Sequence, residues 1–260
     1  MDVRMDGRKA VITGGSLGIG RAIAQRFAGA GAEVAIVARR AEVLEEAKAE
    51  IEQATGGRII TVVGDVSTAD GCQAVYDEAL AGLGQIDVVV NNAGSSQRGP
   101  FQDITDEIWR ADIELKLFAA IRLIRLALPG MRERKWGRVI NILNTGAKAP
   151  PAQGAPTAVS RAAGMALTKA IAQEVVVDNV LVNALLVGRI ESDQWVKRHA
   201  AEDKGRSLED YYAEMAQIVP MGRVGTAEEF ANAACFLASE QGSYISGVAL
   251  NVDGGLCPVV

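Results

Sequence analysis

Apolar residues along this chain follow two rhythms in alternation. Short, continuous β-branched runs at 9–13, 33–38, 59–64, 86–91, 138–143, 180–185 and 247–252 read as strands. Runs such as IDVVVNN and VLVNALLV do not alternate with polar positions, which marks strands buried on both faces. Helical patterns lie between them, at 19–29, 41–54, 69–82, 105–131, 157–177 and 226–239. Strand-then-helix alternation predicts an α/β fold: a single Rossmann-type, doubly wound parallel sheet of about seven strands with helices on both faces. Thr105 before DEIW predicts an N-cap with an acidic first turn, and Pro129-Gly130 should loosen that helix near its end. No repeat, low-complexity tract or linker interrupts the pattern, so residues 1–260 are expected to form one domain. One stretch breaks the rhythm. Residues 191–219, ESDQWVKRHAAEDKGRSLEDYYAEMAQIV, are polar and helical, and the sheet resumes after them. An insertion beside strand ends predicts a substrate lid, the alternative being a solvated helical hairpin.

Composition narrows the function classes. With 260 residues, 49% hydrophobic and 23% charged, the chain can bury one large core. Its net charge of −5 weighs against nucleic acid, which favours a basic surface. Cys72, Cys235 and Cys257 form no CxxC pair, and His199 is the one histidine, so neither a disulfide framework nor a metal site is expected. No signal-peptide core separates MDVRMDGRK from AVITGG, and no apolar run approaches the roughly 20 residues that cross a bilayer. A cytoplasmic protein acting on a small molecule is the expectation.

The chemistry gathers at strand ends. AVITGGSLGIGRAIA sets Gly14, Gly18 and Gly20 between a strand and a helix, where backbone N–H groups can approach a pyrophosphate. The spacing is G-x-x-x-G-x-G rather than G-x-G-x-x-G. Asp65 follows the third strand, NNAG (91–94) the fourth and VGRIES (187–192) the sixth. Taken together, TGGSLGIG, NNAG, LVNALLVG and the terminal GVALNVDGG resemble the short-chain dehydrogenase/reductase family over nearly the whole chain, from Lys9 to Gly255. The resemblance implies one Rossmann domain that binds NAD(H) or NADP(H), usually within a homotetramer. It assigns cofactor contacts to Gly14, Ser16, Leu17, Gly18, Ile19 and Gly20 in the turn, and to Ala38, Arg39 and Arg40 after the second strand. Asp65, Val66, Asn91, Ala93, Gly94, Arg161, Val187, Gly188, Ile190 and Ser192 complete the set. An acidic residue after the second strand would repel a 2′-phosphate; Ala38 followed by two arginines instead favours NADP(H). Leu17, where related NADP enzymes often carry a basic residue, leaves NAD(H) open.

The family's catalytic pattern is a Tyr-x-x-x-Lys pair, a Ser about a dozen residues earlier and an Asn on the preceding long helix. Local alignment puts Thr157, Arg161, Asn144 and Lys116 at those four positions. A threonine hydroxyl has no ring to stabilise an oxyanion, and arginine does not yield its proton. Catalysis by the usual Tyr-Lys route is therefore excluded on the residues. Lys116 is the candidate proton donor, since burial and a neighbouring Arg161 would lower its pKa. The competing role is an ion pair with Asp112, four residues earlier on the same helical face. Tyr211, Tyr212 and Lys148 are weaker candidates. Two functions stay open: an NADP(H)-dependent oxidoreductase for a small alcohol/carbonyl pair with Lys116, Asn144, Thr157 and Arg161 as its set, or a non-catalytic nucleotide-binding homologue, a sensor or partner subunit. Apolar residues on more than one side of 105–131, with small residues on 157–177, favour a tetramer contact through these two helices.

Overall fold

A computed structural model describes residues 2–202 and 205–260; positions 203 and 204 of the 191–219 insertion lie outside the described residues. Seven parallel strands form one sheet: β1 (Lys9–Thr13), β2 (Glu33–Ala38), β3 (Ile59–Val63), β4 (Val88–Asn91), β5 (Gly137–Asn144), β6 (Val180–Val187) and β7 (Ala249–Val252). Their order is β3-β2-β1-β4-β5-β6-β7. The order reverses between β1 and β4, and open sheets of this kind bind ligands outside the strand ends at such a point.

Period-2 side-chain alternation builds two cores from the same strands. Ile12, Ile36, Val90 and Ile140 face α1 (Gly18–Gly29), α2 (Ala41–Thr55) and α9 (Ala227–Ala238), where Phe27, Leu44, Ile51 and Phe230 are buried. Val11, Val37, Val89 and Val139 face the other way. There they pack with Val75 and Leu83 of α3 (Ala69–Leu83), Leu123 and Ile124 of α5 (Ala119–Glu133), and Ala172 and Val175 of α6 (Thr157–Val175). The insertion forms two helices, α7 (Asp193–Glu202) and α8 (Leu208–Ala216), the second capped by Ser207, whose Oγ accepts from Asp210 N.

The long helix expected at 105–131 departs from its reading in two ways. Thr105 caps α4 (Asp106–Ile113), as its position predicts, but residues Glu114–Phe118 then wind as a π-helix before α5 begins. π segments widen a helix by one residue and recur at functional sites; this one has the buried Lys116 at its centre. The helix also continues through Pro129-Gly130 to Glu133, because Ala127 and Met131 are buried in the core on either side of an exposed Pro129. At the other end of the site, β5 and β6 run further than their apolar runs suggest, paired to the register Asn144↔Val187. That extension carries Asn144 to the carboxyl edge of the sheet. Among the described residues no helix is long and apolar enough to cross a membrane.

Candidate functional site

A cavity of about 1200 Å³ opens along the carboxyl edge of the sheet. Its floor is the turn between β1 and α1. Gly14 has φ +66°, and a Cβ at Gly20 would stand 2.1 Å from Gly14 O and 2.5 Å from Asn92 Nδ2, so the turn closes only with glycine there. Thr13 Oγ1 fastens this turn to the next loop by accepting from Asn92 N and Ala93 N, both at 3.0 Å. Asn92 Nδ2 donates to Thr13 O at 2.9 Å and Gly14 O at 3.1 Å. Ser16, Leu17, Gly18, Ile19 and Gly20 line the cavity, as do Ala93 and Gly94. Ala38, Arg39, Arg40, Asp65 and Val66 form one end, with Arg39 and Arg40 exposed. Asp65 Oδ1 accepts from Ser67 N at 3.0 Å, and that bond, assisted by the charge of Arg39, holds its carboxyl below the usual carboxylate range. Val187, Gly188, Ile190 and Ser192 form the wall above. The insertion begins over the turn, with Asp193 N 3.5 Å from where a Cβ on Gly18 would stand, and Gln194 Nε2 donates to Gly94 O at 3.3 Å.

One expected cofactor residue is not at this wall. Asn91 is the last residue of β4; its side chain is buried and donates Nδ2 to Asn141 Oδ1 at 2.8 Å. Strand alternation turns it away from the crevice, and Asn92 stands there instead.

The four positions read as a catalytic set separate into a wall and a layer behind it. Asn144, Thr157 and Arg161 line the cavity; Lys116 does not. Arg161 Nη1 donates to Ile142 O at 2.8 Å, its Nε is buried without a partner, and Nη2 lies 2.7 Å from where a Cβ on Gly94 would stand. Asn144 Oδ1 is likewise buried and unpartnered. Lys116 is sealed, its side chain 1% exposed, in an ion pair with Asp112, whose side chain is 0% exposed. The ion pair weighed against a catalytic role is therefore present, and Lys116 Nζ also donates to Thr157 Oγ1 at 2.7 Å. Burial first, then the charge of Arg161, pushes Lys116 down to about 8 against the opposing pull of Asp112.

Thr157 occupies the junction. Its Oγ1 accepts from Lys116 and from Gln97 N at 3.0 Å, and its single proton goes to Gln97 O at 2.7 Å, with Asp112 Oδ1 a longer alternative at 3.3 Å. Ser160 Oγ donates to Asp112 Oδ2 at 2.6 Å. In the resting arrangement the Thr157 hydroxyl is thus fully engaged. The sequence marks Asp112 only as a rival partner for Lys116 and assigns no separate role to Thr13, Gln97, Asn92 or Ser160. Asp112 has a signal, its i,i+4 spacing to Lys116; Thr13 and Asn92 stand inside TGGSLGIG and NNAG, while Gln97 and Ser160 have none beyond being polar. Of the weaker candidates, Lys148 Nζ is spent on Ala249 O at 2.8 Å. Tyr211 is buried within the 191–219 insertion, its ring 6.5 Å from that of Trp195 and 5.5 Å from that of His199. Tyr212 packs beside it, the ring centroids 6.3 Å apart.

A family model described as Enoyl-(Acyl carrier protein) reductase matches residues 14–257. The 3-oxoacyl-[acyl-carrier-protein] reductase FabG of Chlamydia muridarum is 36% identical over 250 residues, 96% of this chain and 97% of that protein. The enzyme of the same name from Escherichia coli is 33% identical over 254 residues, 98% and 99% of the two chains. Among solved structures, L-sorbose reductase from Gluconobacter frateurii, complexed with NADPH and L-sorbose, superposes with a TM-score of 0.95 at 37% identity over 100% of both chains. Actinorhodin polyketide ketoreductase with NADPH superposes with a TM-score of 0.90 at 30% identity, over 97% of this chain and 98% of that one.

Proposed function

The chain belongs to the short-chain dehydrogenase/reductase family, and on that footing we propose an NADP(H)-dependent oxidoreductase that interconverts a small alcohol and its carbonyl compound through a rearranged set of polar groups. The observation that carries this reading is the continuity of the cavity. It runs from Arg39 and Arg40, past the glycine turn, to Asn144 and Arg161 and on beneath the lid, with room for a second molecule beyond a dinucleotide. The residues fit that cofactor. Gly20 leaves no space for a Cβ where backbone N–H groups would meet a pyrophosphate. Two arginines, and no carboxylate, follow Ala38 where a 2′-phosphate would lie. Bound there, the nicotinamide supplies a hydride to the carbonyl carbon or takes it from the alcohol.

The remaining chemistry belongs to the protein. Charge grows on the substrate oxygen as the carbonyl is reduced, and a fixed cation beside it lowers the barrier. Arg161 is that cation: burial brings it to about 10, Asp112 pulls upward, and at neutral pH it stays charged. Asn144, on the cavity wall, offers the N–H groups of its Nδ2 to the same oxygen. Lys116 holds a proton one hydroxyl away from the cavity. When the Thr157 hydroxyl turns from Gln97 O toward the substrate, its proton passes to the alkoxide and the Lys116 proton replaces it. The lid of α7 and α8 excludes water from this step, and the three free cysteines suit a reducing cytoplasm.

The engaged state of Thr157 favours the second reading, a nucleotide-binding homologue that turns nothing over. A panel of aldehydes, ketones and alcohols, followed by NADPH absorbance, separates the two. Oxidation of NADPH by any carbonyl supports the enzyme, and silence across the panel with tight NADPH binding supports the sensor or partner subunit. Cofactor choice has its own test. NADPH should bind at least several-fold more tightly than NADH by calorimetry, and Arg39→Asp should abolish or reverse the preference; equal wild-type affinities would contradict it. Assembly as a homotetramer is supported by the apolar groove that Ile121, Leu128, Leu167 and Ile171 form between α5 and α6, with Phe118 and Val159 exposed on the same helical layer. Light scattering at micromolar concentration should give about four chain masses, and a clean monomer would remove the proposal.

A further inference from the structure

Beyond Asn144 and Arg161 the cavity ends in three arginines that come from separate parts of the chain. Arg98 stands in the loop after β4, Arg189 in the loop after β6, and Arg198 on α7 of the lid. All three line the cavity. The guanidinium of Arg189 lies 5.0 Å and that of Arg198 5.3 Å from the ring centroid of Trp195, so one indole holds both. Arg189 is half-buried, and its Nε is buried with no partner. Among the described residues none of the three pairs with a carboxylate. Three acidic side chains of the insertion pair with other cations: Asp193 with Lys197, and Glu202 and Glu214 with Arg206.

Three guanidinium groups gathered without a counter-charge oppose one another. Arg98 and Arg189 are both held below the ordinary guanidinium value, by burial first and then by the charges of the other arginines, with Tyr211 pulling the opposite way. A protein bears that cost most easily where a ligand removes it. Forked guanidinium donors match the oxygens of a carboxylate or phosphate, and contacts with such groups are the strong, charge-assisted kind. Arg39 and Arg40 stand at the far end of the cavity, so the cofactor's 2′-phosphate does not account for this cluster.

We propose that Arg98, Arg189 and Arg198 form an oxyanion-binding subsite, and that the substrate is a carbonyl compound carrying a carboxylate or phosphate held by these arginines while its carbonyl faces Asn144 and Arg161. The subsite rests on the oxidoreductase reading for its carbonyl but not for its anion. Arg198 sits on the lid and Arg98 and Arg189 on the body, so a bound oxyanion draws α7 onto the site.

The test is equilibrium binding to protein saturated with NADPH, which keeps the cofactor's own phosphate site filled. Malonate and inorganic phosphate are the anionic probes, and malonamide is the neutral counterpart of malonate. At least one anion should bind ten-fold or more tightly than malonamide, and its identity separates carboxylate from phosphate. Arg189→Gln and Arg198→Gln should each weaken that anion about ten-fold, the loss of a charge-assisted bond, with NADPH affinity changed less than two-fold. Arg189→Lys, which keeps charge without the fork, should fall between. Malonate and phosphate both binding no more tightly than malonamide, or anion affinity indifferent to both glutamine variants, overturns the subsite. Turnover is scored separately. Arginine-dependent anion binding without NADPH oxidation by any keto acid or phosphorylated ketone would keep the subsite and remove the enzyme. Reduction of keto acids and phosphorylated ketones at rates and KM unaffected by the variants would do the reverse.

Discussion

Lys116→Met should melt on the order of 10 °C below the wild-type protein, although it exchanges one long side chain for another of similar volume. The reason is Asp112, which stays behind. Its carboxylate is 0% exposed, and its ionic partner is Lys116. Removing one member of a buried pair leaves an uncompensated charge and costs about 3–5 kcal/mol, which for a chain of this size is worth a few degrees of Tm per kcal/mol. The hydroxyl of Ser160, at 2.6 Å, and the longer contact from Thr157 cannot replace an ammonium. Asp112→Val/Lys116→Met should recover most of the loss, because no orphan then remains. Ser160 can return its proton to Thr157 O, 3.1 Å away, and Thr157 keeps both of its contacts to Gln97. Calorimetric melting of the wild type and the two variants tests this. A single variant within about 2 °C of wild type would mean that the pair is not the buried unit described.

The same pair shows where sequence reading reaches its limit. Strands could be located because burial on both faces leaves unbroken runs such as VLVNALLV, and no helix pattern of that length competes with them. The glycine turn, Asp65 and the loops after β4 and β6 could be placed because they follow strand ends, which the runs had already located. The π-helical turn at Glu114–Phe118 has no compositional signature, since a single extra residue changes no periodicity visible over five positions. Spacing placed Lys116 on a face with Asp112, but only tertiary packing decides that α6 closes over both. Asn91 was assigned to the cofactor from its place in NNAG, whereas the pleat turns its side chain toward Asn141. Arg98, Arg189 and Arg198 lie up to 100 positions apart, and no spacing joins them; two strand-end loops and a helix of the insertion bring them to one cavity.

Arg161→Met is expected to lower kcat for carbonyl reduction by about 10²–10³, the usual effect of removing one preorganised group that meets the developing oxyanion. Affinity for NADPH should fall far less, because the glycine turn and the Arg39–Arg40 end remain intact. The pH profile tells what the arginine and the lysine each contribute. Reduction consumes a proton, and only the protonated form of Lys116 can supply one through Thr157. Its protonated fraction falls as pH rises through about 8. The wild-type rate should therefore hold level below that value and drop about ten-fold per unit above it. Arg161, at about 10, keeps its charge across this range and adds no limb of its own below it. Asp112→Val/Lys116→Met should lose the limb near 8 along with most of the rate. In Arg161→Met the limb should instead move to higher pH, because the arginine's charge is one of the causes that hold Lys116 down. A limb that survives in the double variant would assign the proton to solvent. One that stays in place without Arg161 would show that burial alone sets the lysine, and a rate indifferent to Arg161→Met would remove that residue from the site's chemistry.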